Sequence, residues 1–221
     1  MSIDSFDLGP TDRFAGQCLI VSSIAGLLVM ALHPTGTQMF AHFELVSRLN
    51  IAVHSLALLA TPFAFIGAMA ISRRLAASPN LAVSAIVMYA FASVAVVLAA
   101  LMSGLIAPRL AVRILDPSLP PDRATMLRML LRFGGDINQA SARVFVVGSA
   151  IAILLWSWAM LRTHSFARPL AIYGCIFAVL SAVATASGSL PMDVHGFGAA
   201  MLGQAVWFII AGKELLKPQQ A

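Results

Sequence analysis

The side chains in this chain best equipped for chemistry are its histidines. Val53-His54 and Val194-His195 each lead into an apolar run of roughly 20 residues. These runs close on charge, at Arg73-Arg74 in one case and at Lys213-Glu214 with Lys217 in the other. If both helices run the same way, the two imidazoles lie at similar depth. His33 ends an earlier apolar run, and His42 sits in the connection that leads to His54. Asp193, Glu44 and Asp136 are near in sequence. Four of five histidines are therefore expected at one end of a helical bundle, whichever way that bundle faces.

Imidazoles from separate helices ligate haem iron from both sides, or three of them hold copper or zinc while a carboxylate orients a ring. They also hydrogen-bond a quinone or a similar headgroup. The expected metal-site residues are His33, His54 and His195, with Asp193 as the orienting carboxylate. The expected ligand-binding residues are His54, His195 and Gln204. No HxxxH or HExxH spacing sharpens the choice, and the sequence requires no cofactor. Plain structural roles compete for the same residues. A histidine at a helix C-terminus, as His33 is, interacts favourably with the helix dipole. A histidine beside Asp193 helps to cap a helix, and His54 can bond to Asn50 one turn earlier.

Other chemistries find no support. There is no GxSxG and no phosphate-cradling glycine loop, and Gly196-Phe197-Gly198 is too short to be a nucleotide fingerprint. Cys18 and Cys175 form no CxxC pair and read as small packing residues. Glu44 and Arg48 read as a surface i,i+4 pair, and Arg143 as a basic residue that snorkels to an interface. His164 is given no role. Catalysis is not expected.

What must position these residues follows from composition. Of 221 residues, 60% are hydrophobic and 10% charged, with mean hydropathy +0.90. A soluble domain carries about a quarter charged residues, so the chain is expected to be an all-α membrane protein. Six runs are long enough, or nearly so, to cross the bilayer: 17–32, 51–71, 81–107, 142–161, 170–190 and 196–211. They form one domain over 17–216, between a polar segment at 1–16 and a tail at 217–221. Runs of this length without alternation are helices, not barrel strands. Asp4, Asp7 and Asp12 precede the first run, whereas a secretory leader begins basic, so that run is expected to stay in the chain.

The net charge of +5 does not imply nucleic acid, because the basic groups sit between apolar runs and do not interleave with aromatics. Arg13, Arg73, Arg74, Arg162, Arg168, Lys213 and Lys217 fall on the side of the termini. Arg48, Arg109, Arg113, Arg123, Arg128, Arg132 and Arg143 fall on the other. The counts tie, but the first set abuts span ends in tight turns, which favours cytoplasmic termini. Arg outnumbers Lys twelve to two. With so much alanine, that bias is the association that suggests a GC-rich bacterial genome and hence a bacterial inner membrane. Trp156, Trp158 and Trp207 are expected to form an aromatic belt at the cytoplasmic ends of their spans.

Between the third and fourth runs, Pro120-Pro121-Asp122 reads as a stop and a cap. Residues 122–133 then place Met126, Leu127, Leu130 and Phe133 on one face and Arg128 and Arg132 opposite. This pattern is expected to be an interfacial helix that Gly134-Gly135 ends. Gly174, Ala178, Ala182 and Ala186 form a small-residue seam that would serve within one chain, between copies in a homo-oligomer or within a membrane complex. Pro62 is expected to kink the second span. The reading that results is a six-span, multi-pass membrane protein with a small site among histidines. Its alternatives are a haem or metal redox protein and a small-solute or lipid carrier working through the Pro62 kink and Gln204.

Overall fold

The computed structural model of the protein describes residues 9–34 and 43–217. His42 and the Glu44 side chain, with the pair expected between Glu44 and Arg48, lie outside the described residues. The elements are α1 (Gly9–Leu32), α2 (Phe43–Arg74), α3 (Pro79–Ala100), a π-helical turn (Leu101–Ile106), α4 (Ala107–Ile114), α5 (Pro121–Thr163), α6 (Arg168–Ala186) and α7 (Val194–Leu215). There is no strand among the described residues. Six helices are long and apolar enough to cross a membrane, the third of them being α3, the π turn and α4 taken together. They fit a multi-pass membrane protein.

One difference from expectation concerns α5. It runs unbroken through Gly134 and Gly135 for 43 residues, about 65 Å at the ordinary helical rise. The hydrocarbon core is only ~30 Å thick. Residues 122–133 are thus the opening turns of this long helix, and no helix end separates them from the span. The physical reason is that a mid-helix glycine costs only about 1 kcal/mol relative to alanine. It ends a helix when a left-handed turn follows, and neither glycine has positive φ. Of the apolar face, Leu127 is buried while Met126, Leu130 and Phe133 are exposed.

The core is aromatic. Trp156 and Trp207 stack with ring centres 5.9 Å apart, and Tyr89 lies 5.6 Å from Trp156 and 5.5 Å from Phe208. Trp156 donates to Ser72 Oγ at 2.9 Å, which ties α5 to α2. This corrects the expected belt, since two of its three tryptophans face neighbouring helices and only Trp158 is exposed. Depth along a span is legible from sequence; the angle around its axis is not.

Small residues let this core close. A methyl group on Gly174 would overlap Ser157 Oγ and Trp207 Nε1, so α6 reaches α5 and α7 only because that position is bare. Near the termini, Arg74 joins three helix ends. Its guanidinium donates to Glu214 O at 2.6 Å, Leu215 O at 3.3 Å and Asp12 Oδ2 at 3.2 Å, and it lies over the Phe166 ring. A cation is favourable against the carbonyl end of α7.

Two sets of variants test this packing through unfolding of the purified protein. Gly135→Ala, with open space around it, is expected to stabilise by about 1 kcal/mol, whereas Gly174→Ala is expected to destabilise by about 1–3 kcal/mol. Arg74→Met leaves the buried Asp12 with only the longer contact to Arg73, at 3.7 Å, and frees the carbonyls of Glu214 and Leu215; it is expected to destabilise by about 1–3 kcal/mol. An Arg74→Met protein as stable as the parent would show that the three helix ends do not depend on the guanidinium.

Candidate functional site

The site begins with an irregularity in backbone hydrogen bonding. Ala107 N–H bonds to Met102 O, five residues back, in the wide register of the π turn. In that register the next donor would be residue 108, serving Ser103 O. Residue 108 is proline and has no N–H, so the Ser103 carbonyl loses its partner within the chain segment. Asn50 on α2 supplies the replacement, donating its side-chain amide to Ser103 O at 2.7 Å. Asn50 is only 1% exposed, so this is an interior bond between helices.

One turn further along α2, His54 is also buried. Its Nδ1–H donates to Asn50 O at 2.8 Å. The adjoining residue of the π turn is Gly104, where a methyl group would overlap the His54 Cβ. Glycine is therefore needed for α2 to approach this closely. At the end of α1, His33 Nδ1–H donates to Pro34 O at 3.0 Å. Because a carbonyl only accepts, both neutral imidazoles carry their proton on Nδ1 and keep Nε2 as an acceptor. The two rings meet edge to face with centres 5.0 Å apart.

Both rings line a cavity of about 240 Å³. Asn138 and Gln139 of α5 line it too, as do Ser103 and Asp193. Asp193 caps α7, its Oδ1 accepting from His195 N at 3.0 Å and Gly196 N at 2.8 Å. Apolar side chains such as Met30, Val96 and Phe197 complete the wall. The cavity is thus lined by two histidines, two amide residues and an aspartate among apolar side chains, a combination that suits a small ligand with a polar head.

The expected residues separate into two groups. His33, His54 and Asp193 come together. His195 lies at the start of α7 with its side chain exposed and does not line the cavity. Gln204 is buried elsewhere, between α7 and α5, where its Nε2 donates to Ser149 Oγ at 2.6 Å. Among the described residues no three of His, Cys, Asp and Glu stand close enough to hold a metal ion. The edge contact of the two rings leaves no gap for a macrocycle, so the pair does not fit haem ligated from both sides. The bond from His54 to Asn50 was expected and is present, through the Asn50 carbonyl; the bond of the Asn50 amide to Ser103 and the role of Gly104 were missed by sequence reasoning. The available signal was Gly104 and Pro108 four residues apart inside an apolar run.

Burial holds the His33 imidazole below its ordinary value, and the bond to Pro34 O opposes this in part. The groups that share its cavity are the His54 ring and the Asp193 carboxylate. Since the folded state resists protonation, the stability tied to His33 is complete above its unfolded value of 6.5. It is lost as pH falls through the lower folded value. Thermal unfolding between about pH 7.5 and 5 is expected to show stability declining with acid, and the decline to flatten in His33→Gln. An unchanged slope in that variant would remove His33 from the account. Compared with protein-family models, with curated proteins and with solved structures, the chain has no match.

Proposed function

We propose that this chain is a non-catalytic, multi-pass protein of a bacterial cytoplasmic membrane that binds a small neutral headgroup in the His33–His54 cavity. A quinone or quinol ring is the chemical class that fits best. The observation that carries this reading is the pairing itself. Two imidazoles from different helices, each anchored through Nδ1 to a backbone carbonyl, line one cavity with the amides of Asn138 and Gln139. The imidazole acceptors suit the hydroxyls of a quinol, the amide N–H groups suit the carbonyls of a quinone, and the apolar wall suits the body of either ring. A neutral ligand is favoured because no Lys or Arg among the described residues lines the cavity to balance an anion.

The membrane reading is supported by what the bundle leaves uncovered. Leu59, Phe91, Val94, Leu180 and Val183 are each more than 60% exposed in mid-helix, and lipid is the solvent that accepts such a surface. Cytoplasmic termini are supported by the cations that abut helix ends on that side, Arg13, Arg73, Arg74, Arg162, Arg168, Lys213 and Lys217. Arg74 is engaged with Asp12 and the end of α7, so it serves packing as well as orientation. A carrier working through Gln204 is less well supported, because that amide is already bonded to Ser149.

The test uses a decyl-chain benzoquinone and its quinol as probes on detergent-purified protein. Saturable binding is expected, and for the quinol, whose hydroxyls donate to the Nε2 acceptors, it is weakened about tenfold in His54→Ala and in His33→Ala by the loss of one hydrogen bond each. His195→Ala is expected to bind like the parent. Binding that ignores both cavity variants would overturn the proposal. A Soret band, or copper or zinc in stoichiometric amount by elemental analysis, would replace it with the haem or metal reading.

A further inference from the structure

A second recess lies on the opposite side of α5 from any role discussed so far. It has a volume of about 580 Å³ and shares no lining residue with the histidine cavity. Its floor is the face of α5 formed by Val144, Val147 and Ile151, and Met88 and Phe91 of α3 form one wall. The floor runs for about 10 Å along the helix axis. The other wall is the end of α6, from Thr185 to Gly188.

We propose that this groove seats one phosphatidylethanolamine molecule of the surrounding bilayer, with an acyl chain along the floor and the phosphodiester at Arg143. Three observations carry this. First, Arg143 lines the groove with its side chain exposed, and among the described residues no carboxylate pairs with it. Second, Thr185 is only 5% exposed, yet its Oγ1 is buried without a hydrogen-bond partner. A threonine hydroxyl in a helix ordinarily bonds the carbonyl one turn back; here it does not, and a turn about χ1 would bring the donor to the groove that Thr185 lines. An ester or phosphate oxygen supplies an acceptor there. Third, the groove carries charge of both signs. The carbonyl end of α6 lies in its wall and bears partial negative charge, which repels a bare anion. A zwitterionic headgroup answers both, its phosphate toward the guanidinium and its ammonium toward the helix end.

This site rests on the membrane reading above, and its test separates the two. Wild-type protein is first shown to float with phosphatidylethanolamine vesicles; failure to float overturns both readings. Native mass spectrometry then follows lipid retained by the full chain from an equal mixture of phosphatidylethanolamine and phosphatidylglycerol. One phosphatidylethanolamine is expected on the wild type. Arg143→Gln is expected to lower its retention about tenfold, as the loss of a charge-assisted hydrogen bond implies. Val144→Trp, which fills the floor from an exposed position, is expected to lower it similarly. Arg143→Lys is expected to keep part of it, and Arg128→Gln, a distant exposed cation, all of it. An unfolding transition of each variant close to that of the wild type shows that it is folded. Wild-type retention in both Arg143→Gln and Val144→Trp, preference for phosphatidylglycerol, or displacement by excess inorganic phosphate would overturn the proposal while leaving the membrane reading intact.

Discussion

A buried carbonyl that loses its helical partner must find another, and the cavity depends on that constraint. Pro108 removes the donor that the π register would give to Ser103 O. In an apolar interior an orphaned carbonyl is costly, by about 1–3 kcal/mol. The Asn50 amide meets this need from the neighbouring helix, and so fixes where α2 sits against the π turn. Once Asn50 is fixed, its own carbonyl is the acceptor that orients His54. Gly104 leaves the space into which the His54 side chain fits. The wide turn, the amide and the imidazole are consequences of one another, and His33 meets the ring that results.

The two ends of the bundle are built differently. At the end of the termini, the Arg74 guanidinium ties α1, α2 and α7 together through Asp12 and the carbonyls of Glu214 and Leu215. Next to it, tryptophans and Tyr89 fill the interior with few polar atoms to place. Toward the histidine end, polar side chains join the Phe145–Phe197 pair and a cavity remains. On the outer surface, Arg143 has no carboxylate partner among the described residues.

Much of the architecture was legible in the residues. The six apolar runs correspond to six helices long enough to span a membrane, because run length and hydropathy are properties of the chain itself. Helix direction, which alternates, brought His33, His54 and Asp193 to one end. It did not reveal that His195 points away, since one residue of difference turns a side chain through about 100° around a helix of 3.6 residues per turn. The same blindness to rotation made Trp156 and Trp207 look like a surface belt. Gly134-Gly135 suggested a helix end because glycine permits one, but permission is weaker than the hydrogen bonds on either side. The role of the Asn50 amide was hidden because it answers a defect that a non-α register creates, and no periodicity reports that register. Pro108 beside Gly104 was its only trace.

The central claim is that two imidazoles, one just past the end of α1 and one on α2, touch edge to face in the wall of a single cavity. Carbon–carbon correlation spectra of histidine-labelled protein in lipid bilayers measure this directly by solid-state NMR. The account predicts a side-chain cross-peak between His33 and His54 that vanishes when either residue is replaced by glutamine, with no such peak from His195. Isolated histidine spin systems, or a cross-peak joining His195 to either ring, would contradict it.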